Sequence, residues 1–336
     1  MPVIAATLHA LALPMNAAFR NAQTSADLRR VVLVEVAGEA AGWGEAAPFP
    51  GQDERLDVLI ASAREGIATP TLAAALDEAT ADSAARWAGD ALESFGASVP
   101  VCLAIGLDDP AAAISDAVDL GVRRFKVKVA GGKTSHVADI RKQFPTVAIG
   151  VDGNGSMTPG EWDTAEVASL ELSFAEELFS EMTDGAVGDF TAATGVPMFA
   201  DESVRSVTDA HALIASAVPI GITIKPGRLG WSGARQVRDL CVASKRPFRF
   251  SGLLESSIGR SFTDRLATDP RATFSDVAPA SWFLKDVVSG AGMTGGSVEI
   301  PTGAGMGRTP DPELLEAYRT DRIEVLINRQ ADRDRD

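Results

Sequence analysis

The chain has 336 residues, 46% of them hydrophobic and 23% charged, which suits a globular protein of one large or two moderate domains whose core needs no staple. Its formal net charge of -15 argues against nucleic-acid and anionic-membrane partners, and no apolar run reaches the length of a membrane span. Cys102 and Cys241 fit no metal spacing and read as buried thiols of a reducing, cytoplasmic compartment; with three histidines in the chain, chemistry falls to Lys, Asp and Glu.

Met1 to Phe19 is rich in Ala, Leu and Met but lacks the basic start of a signal peptide, so it reads as the first strand of the fold, with Val3–Leu13 extended. Val31–Val36 is a second strand. Gly42–Gly51 carries too much Gly and Pro for a regular element. From Asp53 to Phe95 the sequence is Ala-rich with helical periodicity, interrupted at Pro70 and Gly89. Residues 1–96 thus read as an α+β segment.

From Ser98 the pattern changes. Short apolar runs at Val99–Ile105, Arg124–Val129, Val147–Val151, Ser173–Leu178, Pro197–Ala200, Gly221–Ile224, Pro247–Phe250 and Ala272–Val277 alternate with helical stretches. The helices are expected at Asp109–Leu120, Ser135–Gln143, Pro159–Leu170, Val187–Thr194, Val207–Ala217, Ser232–Ala243 and Ile258–Ala267. Alternating strands and helices imply parallel pairing, and about eight such units in roughly 200 residues match a (β/α)8 TIM-type barrel. The barrel is expected over 97–303. A doubly wound sheet is the competing fold, but no Gly-rich nucleotide loop follows the first strand. After a Gly-rich connection, 304–336 supplies a helix at Pro312–Tyr318 and a strand at Arg322–Ile327, expected to return to the N-terminal region and complete an α+β cap. The tail Arg329–Asp336 alternates charge and reads as disordered.

In Arg124–Val129 the period of two puts Lys126 and Lys128 on one face and Phe125, Val127 and Val129 on the other. One reading is a solvated edge strand; the other is a pair of lysines facing a barrel interior, held by carboxylates, with a pKa that such surroundings can lower. Barrel chemistry sits at the C-terminal strand ends. There the sequence places Lys126 and Lys128, Asp152-Gly153-Asn154, Glu176-Glu177, Asp201-Glu202-Ser203, Lys225 and Ser251-Gly252-Leu253-Leu254-Glu255. Asp152, one of Glu176 or Glu177, and Asp201 come from adjacent strands. Any one alone would more simply be a helix cap, but three together describe an oxygen-ligand site for Mg2+, with Mn2+ as the alternative. Lys128 and Lys225 would flank a carboxylate substrate whose α-proton a divalent cation acidifies, with a lysine as the base.

These motifs resemble the enolase superfamily in its muconate-lactonizing subgroup, over nearly the whole chain. Trp43–Pro48 looks like its capping loop, Lys126-Val127-Lys128 like its K-x-K motif, and Asp152, Glu176 and Asp201 like its three metal-ligand positions. The family places the ligand at the first carboxylate of the strand-four motif, which selects Glu176; Leu178 stands where the family usually has proline. Ile224-Lys225-Pro226 and Leu254–Gly259 look most like the o-succinylbenzoate synthase group. That resemblance implies a metal-dependent dehydration of 2-succinyl-6-hydroxy-2,4-cyclohexadiene-1-carboxylate through an enediolate, with Lys128 moving the proton and Lys225 supplying charge. Lys126, Asn154, Ser251, Gly252, Glu255 and Arg20 are the expected substrate contacts; Arg20 is the nearest candidate for a succinyl carboxylate, though it reads more simply as a surface arginine. The alternatives are an N-acylamino-acid racemase or dipeptide epimerase, a muconate cycloisomerase, and a barrel that binds without catalysis. Against the epimerase, Ser275–Pro279 lacks an Asp-x-Asp motif.

Overall fold

The computed structural model describes residues 3–16, 27–106, 110–129 and 135–328. Strands β1 (Val3–Pro14), β2 (Leu28–Val36) and β3 (Gly42–Ala46) form an antiparallel sheet. The two N-terminal strands are apolar on both faces because both are covered. Even-numbered residues such as Leu8, Val32 and Val34 pack with Leu59, Leu72 and Leu76 of the helices Leu56–Arg64 and Pro70–Ala88. Odd-numbered residues Leu11, Leu13, Val31 and Leu33 join the larger core beneath. Pro70 opens the second helix at its first turn, where its missing N–H costs nothing, and Gly89 closes it in the left-handed conformation.

β3 corrects the expectation of an irregular Gly/Pro stretch. Gly42 and Gly44 belong to a regular strand whose backbone lies directly against the helix Pro70–Ala88. A Cβ at Gly42 would overlap the Ala79 carbonyl, and one at Gly44 the Ala75 carbonyl. Those glycines mark a close backbone approach rather than a turn.

β4 (Ser98–Pro100) and β5 (Cys102–Ile105) divide the run expected as a single strand. β5 begins a parallel sheet with β6 (Arg124–Lys128), β7 (Ala148–Asp152), β8 (Phe174–Glu176), β9 (Met198–Ala200), β10 (Gly221–Ile224) and β11 (Phe248–Phe250), hydrogen-bonded in sequence order. Their connections carry the expected helices, with two differences. Pro159–Leu170 is helical only over Thr164–Ser169, started by the Asp163 side chain accepting from Ala165 and Glu166 N–H. The helix expected at Ser232 begins at Pro226 and kinks at Gly230, whose φ is 75°.

Among the described residues the sheet holds seven strands, where about eight were expected. The segment Ala272–Val277 is not a regular strand; Phe274 within it sits at φ 37°. It nevertheless bridges the two sheet edges. Thr273 and Asp276 N–H donate to Phe248 and Phe250 carbonyls on β11, and Cys102 N–H on β5 donates to the Val277 carbonyl. The curled sheet is thus tied end to end, as in a TIM-type barrel.

β12 (Ser297–Glu299) pairs with β4, and β13 (Arg319–Asn328) pairs antiparallel with β1 as the outer strand of the first sheet. The charged tail Arg329–Asp336 lies outside the described residues. Among the described residues, no helix is long and apolar enough to cross a membrane.

Candidate active site

The strand period places the charged groups. On β6, Phe125 and Val127 are fully buried in the core between sheet and helices, while Lys126 and Lys128 turn to the opposite, inner side. In the parallel register Lys128 pairs with Asp152, and Asp152 with Glu176. Asp201 directly follows β9 and Lys225 directly follows β10, so their side chains reach the same C-terminal rim.

Lys126 is 4% exposed yet surrounded by three carboxylates: Glu176 Oε2 at 2.7 Å, Asp276 Oδ2 at 2.8 Å and Asp152 Oδ2 at 3.1 Å. Burial alone would lower its pKa, but Asp276, Glu176 and Asp152 outweigh that and hold the ammonium charged well above its ordinary range. Its surroundings therefore shift it opposite to the direction a buried lysine base needs. Lys128 Nζ lies 2.6 Å from both Asp152 Oδ2 and Asn154 Oδ1. Burial would raise Asp152, but Lys128 and Lys126 together hold it below the usual carboxylate range. Lys225 Nζ lies 2.6 Å from Asp201 Oδ2, and Arg228 approaches Asp201 Oδ1 at 3.4 Å. Despite burial, Lys225 and Arg228 keep Asp201 lowered as well.

Glu176 and Glu177 point different ways. Glu176 is fully buried on the inner side, bonded to Lys126 and to the Thr223 hydroxyl at 2.7 Å. Glu177, at φ 34°, accepts from Asp201 N–H and from the Ser203 hydroxyl.

Asp152, Glu176 and Asp201 are a donor set of hard oxygens, buried and on consecutive strands, and in that chemistry they fit a divalent cation. In this structure each is engaged by a lysine, and among the described residues no three His, Cys, Asp or Glu side chains are arranged to hold a metal ion.

The pocket above this cluster is lined by Lys126, Lys128, Asp152, Asn154, Asp201, Lys225 and Gly252, with Phe49 and Gln52 from the N-terminal region. Ser251, expected as a substrate contact, is not in this lining; its hydroxyl donates to Asp276 Oδ2 at 3.2 Å. Glu255 is outside the lining; it is fully buried and 3.4 Å from Arg260. Arg20 lies outside the described residues. Three participants were given no role of their own by the sequence, although Glu202 was named beside Asp201 at its strand end. Asp276 stands near the end of the run expected as the eighth strand, which is irregular here and ties the sheet; the polar strand ends read from the sequence stop at the seventh. Glu202 accepts from Asn154 and Gln52 side chains, and burial with the nearby Asp201 raises its carboxyl to about 7. Arg249 is fully buried with its guanidinium 3.7 Å from the Phe174 ring centre, a cation–π contact whose charge also bears on Lys126.

Residues 109–314 match the family model described as enolase C-terminal domain-like. An N-succinylamino acid racemase from Amycolatopsis is 29% identical over 94% of this chain and 97% of its own length. An o-succinylbenzoate synthase from Listeria innocua is 27% identical over 74% of this chain and 68% of its own. The crystal structure of an enolase-superfamily member from Listeria innocua superposes with TM-score 0.85 at 23% identity, covering 98% of this chain and 100% of that one. A parallel barrel with lysines on its second and sixth strands, carboxylates on the three between, and a family match over most of its length make this chain an enzyme of the enolase superfamily.

Proposed function

We propose that the protein is an o-succinylbenzoate synthase, dehydrating 2-succinyl-6-hydroxy-2,4-cyclohexadiene-1-carboxylate to 2-succinylbenzoate, a step towards menaquinone. The observation that carries the reading is the placement of Lys128 and Lys225 on separate strands flanking one pocket over buried carboxylates. The synthase relative and the motifs Ile224–Pro226 and Leu254–Gly259 support the choice of substrate.

Asp152, Glu176 and Asp201 would hold Mg2+ or Mn2+, which would acidify the α-proton of a bound carboxylate and offset the charge that develops on it. Lys128, oriented by Asp152 and Asn154, takes that proton to its Nζ and then returns a proton to the departing hydroxyl, which leaves as water. Lys225, fixed by Asp201, presents positive charge to the opposite face. Lys126, locked among three carboxylates, offsets part of their charge and is not the base. Loss of water leaves an aromatic ring, so the step is intrinsically favourable.

The second reading is an N-succinylamino acid racemase, favoured by the Amycolatopsis relative and by the same opposed lysines, each acting as a base on its own face. The deciding assay measures purified protein with the cyclohexadiene and with N-succinyl amino acids and dipeptides, before and after exhaustive chelation. Dehydration that stops in chelator and returns with Mg2+ is expected. Fast racemisation with poor dehydration replaces the synthase with the racemase, and full activity in chelator removes the metal assignment.

A further inference from the structure

β2 sends one cationic side chain, Arg29, into the junction between cap and barrel, where it is 6% exposed. Its nitrogens bond backbone carbonyls from two separate loops. Nη2 donates to Ala47 O at 2.6 Å and Leu253 O at 2.8 Å, Nη1 to Pro48 O at 2.9 Å, and Nε to Leu254 O at 3.2 Å. The same two loops contribute to the pocket lining: Phe49 follows Pro48, and Leu253 and Leu254 come from the barrel side. The guanidinium also lies 5.8 Å from the Phe49 ring centre.

Two features mark this as a device with a purpose at the pocket. Leu254 stands at φ 60°, a left-handed conformation that a leucine keeps only where its surroundings enforce it, and Arg29 Nε holds its carbonyl. The barrel loop is gripped again just beyond by the cap: Glu45 on β3 accepts from Ser256 N–H at 2.9 Å, Ser256 Oγ at 2.5 Å and Gly259 N–H at 3.0 Å. A planar five-donor fork can span two loops at a fixed distance; a lysine ammonium cannot.

We propose that Arg29 is a positioning residue for substrate selection. By tying the Ala47–Phe49 loop to the Leu253–Leu254 loop it sets the gap that receives the part of a carboxylate substrate remote from the reacting carbon, an apolar ring or acyl chain. The inference rests on reading the lysine–carboxylate cluster as the reacting centre.

The test compares wild type, Arg29→Met and Arg29→Lys. With the cyclohexadiene and an N-succinyl amino acid as substrates, Arg29→Met is expected to raise KM about tenfold, more than it lowers kcat, and to change the preference between the two substrates. Arg29→Lys should fall on the same side. A folded Arg29→Met with unchanged KM and preference, or with kcat lowered at constant KM, overturns the proposal. If Arg29→Met does not fold, Arg29→Lys decides: it keeps the charge but not the fork that spans the two loops, and an unchanged KM and preference overturn the proposal. Amide hydrogen exchange gives a readout independent of turnover. Faster exchange confined to 47–53 and 252–255 in Arg29→Met is expected; exchange unchanged there, or raised throughout the chain, is fatal. A wild type inactive on both substrates would defeat the assigned reaction, while the exchange result would still judge the strap.

Discussion

Lys126 Nζ on β6 lies 2.8 Å from Asp276 Oδ2, on the segment that joins the last strand of the sheet to the first. Asp276 N–H donates to β11, and the next residue accepts from β5, so this ion pair sits at the seam of the ring. Burial would raise the Asp276 carboxyl, but Lys126, Arg260 and Arg249 bring it to about 2. Removing one partner of a buried pair typically costs about 3–5 kcal/mol. Lys126 keeps Glu176 and Asp152, so Asp276→Ala should cost about 3 kcal/mol, at the low end of that range. Urea unfolding measures it; a loss below about 1 kcal/mol would show that the seam does not depend on this pair.

A second expectation concerns pH. Burial raises the Glu45 carboxyl from 4.5 to about 7; the Ser256 and Gly259 donors oppose that shift and the nearby Glu255 adds to it. Between those values the folded chain holds a proton that the unfolded chain has released, so stability falls as pH rises through that window. One pKa unit corresponds to about 1.4 kcal/mol, which limits the Glu45 share to about 3 kcal/mol. Asp276 acts in the opposite sense: its lowered carboxyl contributes stability above pH 4 that is lost as pH falls towards 2. Thermal unfolding from pH 4.5 to 8 should therefore show a declining Tm, and Glu45→Gln should flatten part of the decline. The rest should persist, because burial also raises Glu177 and Glu202 to about 7. An identical slope in the variant would remove Glu45 from the account.

What the sequence revealed and what it hid follow from range. Lys126, Lys128, Asp152, Glu176, Asp201 and Lys225 were legible because each sits at a strand end, and a period of two with a known barrel direction assigns its face. The strand period alone did not choose between Glu176 and Glu177; the hydrogen bonds to Thr223 on one side and Ser203 on the other separate them. Asp276 lay within a run expected as a strand, but its place beside Lys126 follows from how that irregular segment spans β11 and β5, which alternation does not show. Arg29 was hidden because its acceptors Leu253 and Leu254 lie more than 200 residues away and are carbonyls, which carry no side-chain signature. β3 was misread because glycine looks the same in a turn and under a closely packed helix.

That last point is testable. Gly44 is in regular strand geometry, so alanine is acceptable to the backbone itself, and only the helix Pro70–Ala88 objects. A methyl group there would meet the Ala75 carbonyl, which belongs to the helix backbone and cannot swing aside. Overpacking of this kind costs about 1–3 kcal/mol, and more where backbone must move. Gly44→Ala should reach at least the upper part of that range, whereas Gly89→Ala, with nothing near the added carbon, should cost only the strain of a left-handed alanine, about 1 kcal/mol. Equal, small losses at both sites in denaturant unfolding would mean that the close approach is not what requires glycine at Gly44.

The roles proposed for the two lysines make different demands on their chemistry. Arginine keeps the positive charge but does not give up its proton at working pH. In a dehydration with one acid–base group, Lys128→Arg should lose at least about a hundredfold in kcat, the usual share of general acid–base catalysis. Lys225→Arg should keep measurable dehydration, because Asp201 still faces a cation; the loss reflects only a displaced charge. In a racemase, each lysine serves one face, so both substitutions should block racemisation while each leaves deuterium exchange from one enantiomer. Dehydration rates, read beside exchange into each enantiomer of an N-succinyl amino acid, separate these outcomes. If Lys225→Arg abolishes dehydration as completely as Lys128→Arg, Lys225 does more than present charge, and the single-base mechanism falls.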